Sequence, residues 1–193
     1  MHQVYLSLGS NIQPEINLPR AIELLQEHGE IRIVSRAWES EAVGSDGPNF
    51  LNACVFFLAP LLYAELKEQV IHPLEARLGR QRSADKYAPR TIDIDIVLFD
   101  DQLCDDKFWK QAFVVIPLAE IYPEYQRSTP RSGSVDQRST IVPRAFGGSP
   151  VDQNRLTREN ITEAAARIRQ KVWMEPRPEV LSRFNGNSRE SKS

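Results

Sequence analysis

The chain has 193 residues, 41% of them hydrophobic and 26% charged, with a formal net charge of −2 and a pI of about 6.0. That length supports one core plus an appendage, and the slightly acidic balance argues against a nucleic-acid partner, which calls for a net basic domain. No apolar run approaches membrane length, and no basic stretch followed by an apolar one opens the chain, so a cytoplasmic protein without a membrane partner is expected. Cys54 and Cys104 lack metal-ligand spacing and read as reduced, structural thiols.

Residues 3–8 (QVYLSL) read as a short strand closed by the turn Gly9-Ser10-Asn11. Gly9 either serves that turn alone or lets the backbone approach a ligand closely. Residues 15–28 place Ile16, Ala21, Ile22, Leu24 and Leu25 at helical spacing, with Gly29 as the stop and Pro19 expected in the first turn. Residues 30–40 (EIRIVSRAWES) give a second strand, and 41–49 (EAVGSDGPN) a loop long enough to move over a site. A third strand follows at 50–59 (FLNACVFFLA). With Phe50, Asn52, Cys54 and Phe56 on one face, Asn52 is polar among apolar neighbours; it either stitches the sheet together or reads a ligand's polar edge.

Residues 61–78 form a second helix with Leu62, Leu66, Val70, Leu74 and Leu78 in one stripe, and Pro73 is expected to kink or shift it. A charged loop, 80–89, leads into residues 91–99 (TIDIDIVLF), where apolar and acidic residues alternate. Successive strand side chains point to opposite faces, so Ile92, Ile94 and Ile96 go to the core while Asp93 and Asp95 share the other face, about 7 Å apart. Like charges so placed repel unless something neutralises them. Two magnesium ions, about 4 Å apart in two-metal sites, suit that spacing. Arg80, Arg82, Lys86 and Arg90 lie just upstream, and carboxylates for a hard cation beside guanidiniums for phosphate are the parts of phosphoryl transfer. A structural salt-bridge cluster would use the same residues. Residues 113–125 (FVVIPLAEIYPEY) read as a strand end running into a helical turn broken by Pro123.

The order β-α-β-β-α-β predicts an α+β, ferredoxin-like antiparallel sheet with its helices on one face. The other face is then free to gather Asp93, Asp95 and Asn52 in a cleft. Three regions are expected: a catalytic domain over 1–125, a flexible Ser-, Pro-, Gly- and Arg-rich linker over 126–160, and a helix at 161–172 followed by a loose tail over 175–193.

The motifs LGSN (8–11), FLNA (50–53), E-x-x-x-G-R-x-R (75–82), PRTIDIDIVLF (89–99) and PLAEIYPE (117–124) together resemble the 6-hydroxymethyl-7,8-dihydropterin pyrophosphokinase family over residues 3–125. The resemblance implies transfer of pyrophosphate from ATP to a pterin alcohol in folate biosynthesis, by a monomer or weak dimer. It implies Asp93 and Asp95 as ligands of two Mg2+ ions, and Arg80 and Arg90 as arginines that embrace the phosphates. Glu75, Arg82, Lys86 and Tyr87 are then ATP-side positions. Phe50 and Phe113 would sandwich the pterin ring, Asn52 would read its amide-like edge, and Val43 and Gly44 belong to the closing loop around it. The family often carries a histidine segment and an arginine before PLAEI; here 100–112 (DDQLCDDKFWKQA) has no histidine, and Gln111 stands where the arginine is expected. Lys107 or Lys110 is the candidate replacement charge, and a pterin- or nucleotide-binding paralogue without catalysis is the alternative expectation. A ferredoxin-like RNA-binding module is disfavoured, since the sheet lacks a basic face with interleaved aromatics.

Overall fold

The computed structural model describes residues 1–42, 47–81, 88–126 and 160–184. In chain order the elements are β1 (His2–Ser10), α1 (Pro14–Gln26), β2 (Glu30–Val34), β3 (Ala37–Ser40), β4 (Phe50–Ala59), α2 (Tyr63–Leu66), a π-turn (Lys67–Ile71), α3 (His72–Arg77), β5 (Asp93–Phe99), β6 (Gln102–Leu103), a 3-10 turn (Asp106–Lys110), α4 (Ala112–Ile121), α5 (Ile161–Arg169), β7 (Met174–Arg177) and a second 3-10 segment (Pro178–Phe184). The strands form one antiparallel sheet in the order β6-β5-β1-β4-β3-β7, with β2 also paired to β4.

Strand alternation separates two cores. Val4, Leu6 and Leu8 of β1, Leu51, Ala53, Val55 and Phe57 of β4, and Ile94 and Ile96 of β5 pack against Leu18, Ile22 and Leu25 of α1 and Leu66, Val70 and Leu74 of the second helical segment. Each such aliphatic side chain contributes about 2 kcal/mol by leaving water. On the opposite face Tyr5, Cys54, Val97 and Leu98 meet Val114, Val115 and Leu118 of α4 and Ile161, Ala164 and Ile168 of α5. Helices therefore lie on both faces, not on one as the pattern predicts. The discrepancy traces to 113–121, which is a helix rather than a strand end. Buried between sheet and α5, α4 is apolar on nearly all sides, and a run of Phe, Val and Ile without polar spacing carries no period that separates helix from strand.

Prolines set the helix boundaries. Pro14, not Pro19, occupies the start of α1, and Pro19 lies inside it. Pro73 is preceded by the π-turn, in which the His72 N–H donates to the Lys67 carbonyl. That wider turn shifts the helix ahead of the ring, the accommodation that an interior proline requires. The expected strand 30–40 is broken at Ser35-Arg36, where the Ser35 N–H donates to the Cys54 carbonyl at 2.9 Å and Ser35 Oγ accepts from the Cys54 N–H at 2.9 Å. The hydroxyl completes the ladder while the backbone turns aside.

The expected loose tail starts instead as β7, paired with β3 in the register Ala37↔Arg177 to Ser40↔Met174. Leu181, beyond it, is fully buried in the first core. Residues 185–193, and all of the linker except its ends, lie outside the described residues. Among the described residues no helix is long and apolar enough to cross a membrane.

Candidate functional site

Asp93 and Asp95 stand on β5 opposite the buried Ile92, Ile94 and Ile96, as the alternation predicts. The register sets Asp93 beside Gly9, Gly9 beside Asn52, and Asn52 beside Trp38, so these four residues form one row across β5, β1, β4 and β3. A Cβ on Gly9 would lie 3.2 Å from Asn52 Oδ1 and 3.8 Å from Phe50 Cδ1. Gly9 lies inside β1 rather than in a turn, and as a glycine it keeps the middle of that row flat.

Asn52 is 3% exposed, and its Nδ2 donates to Ser40 Oγ at 2.9 Å and to the Trp38 carbonyl at 3.3 Å. It stitches β4 to β3, while its Oδ1 is left over Gly9. Phe50 is half-buried at the start of β4. Phe113, half-buried in the first turn of α4, packs against the cluster of Trp38, Ile116 and Met174. The helical layer thus walls the β3 side of the face.

One end of the row is built around Asp93. Arg80 Nη1 donates to Asp93 Oδ1, to the Ile92 carbonyl at 3.1 Å and to Glu75 Oε1 at 2.9 Å, and Arg90 Nη1 donates to Asp93 Oδ2. Glu75, 4% exposed, also accepts from the Ile94 N–H at 2.9 Å, tying α3 to β5 and holding Arg80 in place. Asp95 has its side chain open to solvent but is set among protein groups. Burial first, and then the neighbouring charge of Asp93, push its carboxyl above the ordinary aspartate range, while Lys107, Arg80 and Lys67 pull the other way.

Lys67 was not singled out by any sequence motif; its signal would have been its place on the helix that packs beside β5. In the sequence Asn11 reads as the end of a turn and of the LGSN motif, with no role of its own. It is 5% exposed, its Oδ1 accepts from the Arg90 N–H at 2.7 Å, and its Nδ2 donates to the Pro48 carbonyl at 3.2 Å. Val43, Gly44, Arg82, Lys86 and Tyr87 lie outside the described residues. Among the described residues no three His, Cys, Asp or Glu side chains gather at one point. The donor set, a guanidinium-bound carboxylate beside one whose ionisation burial and that neighbour both oppose, fits a divalent cation that completes its shell with water and substrate oxygens, as magnesium does.

Residues 5–123 match the profile of the family described as 7,8-dihydro-6-hydroxymethylpterin-pyrophosphokinase. The chain is similar to a 2-amino-4-hydroxy-6-hydroxymethyldihydropteridine pyrophosphokinase of Aquifex aeolicus, 39% identical over 133 residues that cover 64% of this chain and 82% of that protein. It is also similar to the proteins of that name from Synechocystis sp., 34% identical over 68% of this chain and 71% of the relative, and Pseudomonas aeruginosa, 32% identical over 64% and 83%.

Proposed function

The chain belongs to the 7,8-dihydro-6-hydroxymethylpterin-pyrophosphokinase family, and from that premise we propose how its site performs the reaction. The protein is an ATP-dependent pyrophosphokinase of folate biosynthesis, transferring pyrophosphate from ATP to 6-hydroxymethyl-7,8-dihydropterin and releasing AMP. The observation that supports the site assignment is the row Asp93–Gly9–Asn52, with a carboxylate bound by two arginines at one end and a flat, amide-lined stretch at the other. In this reading Phe50 and Phe113 hold the pterin ring, and Asn52 Oδ1 accepts from its amide-like edge above Gly9. Asp93 keeps Arg80 and Arg90 poised where the triphosphate oxygens arrive, and Lys107 and Lys67 supply positive charge on the side where the family's arginine is replaced by Gln111. Asp93 and Asp95 would hold two magnesium ions, which would supply charge neutralisation to the triphosphate. Positioning does the rest, by bringing the hydroxymethyl oxygen in line with the β-phosphorus. The pairing of β1 with both β4 and β5 supports a ferredoxin-like core for this arrangement.

The test is AMP release from ATP and the dihydropterin in magnesium. Asp95→Ala should abolish it with the fold intact; AMP production retained in that variant would overturn the assignment.

A further inference from the structure

We propose that Arg177, near the C-terminal end of the described chain, is a positioning residue for the pterin half of the site, acting from the opposite face of the sheet. The inference rests on the functional reading above. It starts from alternation on β3. Trp38 and Ser40 bracket Glu39 in sequence, and Ser40 accepts the Asn52 amide on the site face. Glu39 therefore points to the reverse face. There Arg177 Nη1 donates to Glu39 Oε2 at 2.6 Å, and Asn49 Nδ2 donates to Glu39 Oε1 at 3.0 Å.

These contacts sit at the two ends of the loop 41–49. Glu39 immediately precedes Ser40, and Asn49 immediately precedes Phe50, so one carboxylate holds together the strand positions that face the ring. Arg177 is itself aimed by Glu179, whose Oε1 accepts from Arg177 Nε at 2.6 Å, and by the β3–β7 ladder. Asn49 and Arg177 hold the Glu39 carboxyl below the usual glutamate range. Asn11, Glu39, Pro48, Asn49 and Arg177 line one cleft of about 270 Å³. A segment outside the family match at 5–123 thereby sets the width of the loop's base.

The alternative is an ordinary ion pair at the sheet edge, which contributes little. Arg177→Met separates the two. Binding of the fluorescent oxidised probe 6-hydroxymethylpterin should weaken about tenfold, while binding of α,β-methylene-ATP should not change. Arg177→Lys should restore most of the pterin affinity, and amide exchange at Asn49–Leu51 should quicken in the methionine variant. Unchanged pterin affinity in folded Arg177→Met, or equal weakening of both ligands, overturns the proposal. Should that variant fail to fold, Glu39→Gln, which keeps the shape and removes the charge, reads out the same ratio. Amide exchange needs no ligand, so it decides the clamp even where wild-type protein forms no AMP, a result that would instead overturn the functional reading.

Discussion

Asn11 and Arg90 are bound to each other in both directions: the Arg90 N–H donates to Asn11 Oδ1 at 2.7 Å, and the Asn11 N–H donates to the Arg90 carbonyl at 3.0 Å. With its Nδ2 on the Pro48 carbonyl, Asn11 joins the end of the charged loop to the end of the loop 41–49. Asn11→Ala removes both part-buried side-chain bonds, at a cost of about 1 kcal/mol. Urea denaturation should show that loss, and the KM values for ATP and pterin should rise together, because one side chain serves both halves.

Asp95 exchanges stability for chemistry. Its raised carboxyl means that the folded protein holds the proton more tightly than the unfolded chain. Ionisation therefore costs stability as pH rises through the ordinary aspartate range toward the raised value. Asp95→Asn should melt at or above the wild-type temperature without ligands at pH 7, while AMP release falls by about a hundredfold or more. A melting temperature well below wild type would contradict this account.

Gly9→Ala inserts a methyl 3.2 Å from Asn52 Oδ1, tighter than normal contact. Asn52 must shift by a few tenths of an ångström, and its bond to Ser40 ties it down. Pterin affinity should fall about tenfold, whereas nucleotide affinity should hold; calorimetry on each ligand separately checks both.

Acidification should loosen the β3–β7 edge. Asn49 first, and then Arg177, lower the Glu39 carboxyl, so the stability it contributes is present above the glutamate value of the unfolded chain. It is lost as pH falls through the lower folded-state value, below about 4. Amide exchange across β7, followed from neutral pH to below pH 4, should accelerate at the acid end, and Glu39→Gln should flatten that dependence.

Neither cysteine should act as a nucleophile. Burial pushes the Cys104 thiol up to about 12 and the Cys54 thiol higher still. Both should resist thiol-reactive disulfide reagents at pH 8 in the native protein and react on unfolding. Rapid native-state labelling of Cys54 would show that its strand opens.

The acidic strand was readable because alternation is a local property: Asp93 and Asp95 declare their face through Ile92, Ile94 and Ile96. Arg80 and Arg90 were readable as cations near it, but their convergence on one carboxylate was not, since Arg80 is held there by Glu75, a buried anion reaching over from a helix. The second layer was not readable, because α4 is uniformly apolar and α5 is separated from it by residues 127–159. β7 escaped notice for a different reason. Its sequence, MEPR, has neither strand propensity nor alternation, and it is a strand because β3 offers an open edge. Arg177 became visible as a functional candidate after that pairing.

Residues on either side of 127–159 meet. Gln126 and Asn160 form an antiparallel bridge, and the Ile161 N–H donates to the Tyr125 carbonyl at 2.9 Å. The two flanks are held together at one spot, so the number of residues between them is not set by the architecture, and closing a longer connection costs only logarithmically more. Gln126 and Asn160 thus give this enzyme two fixed anchors between which sequence can be added or removed, on the sheet face that also carries Asn52 and Asp95.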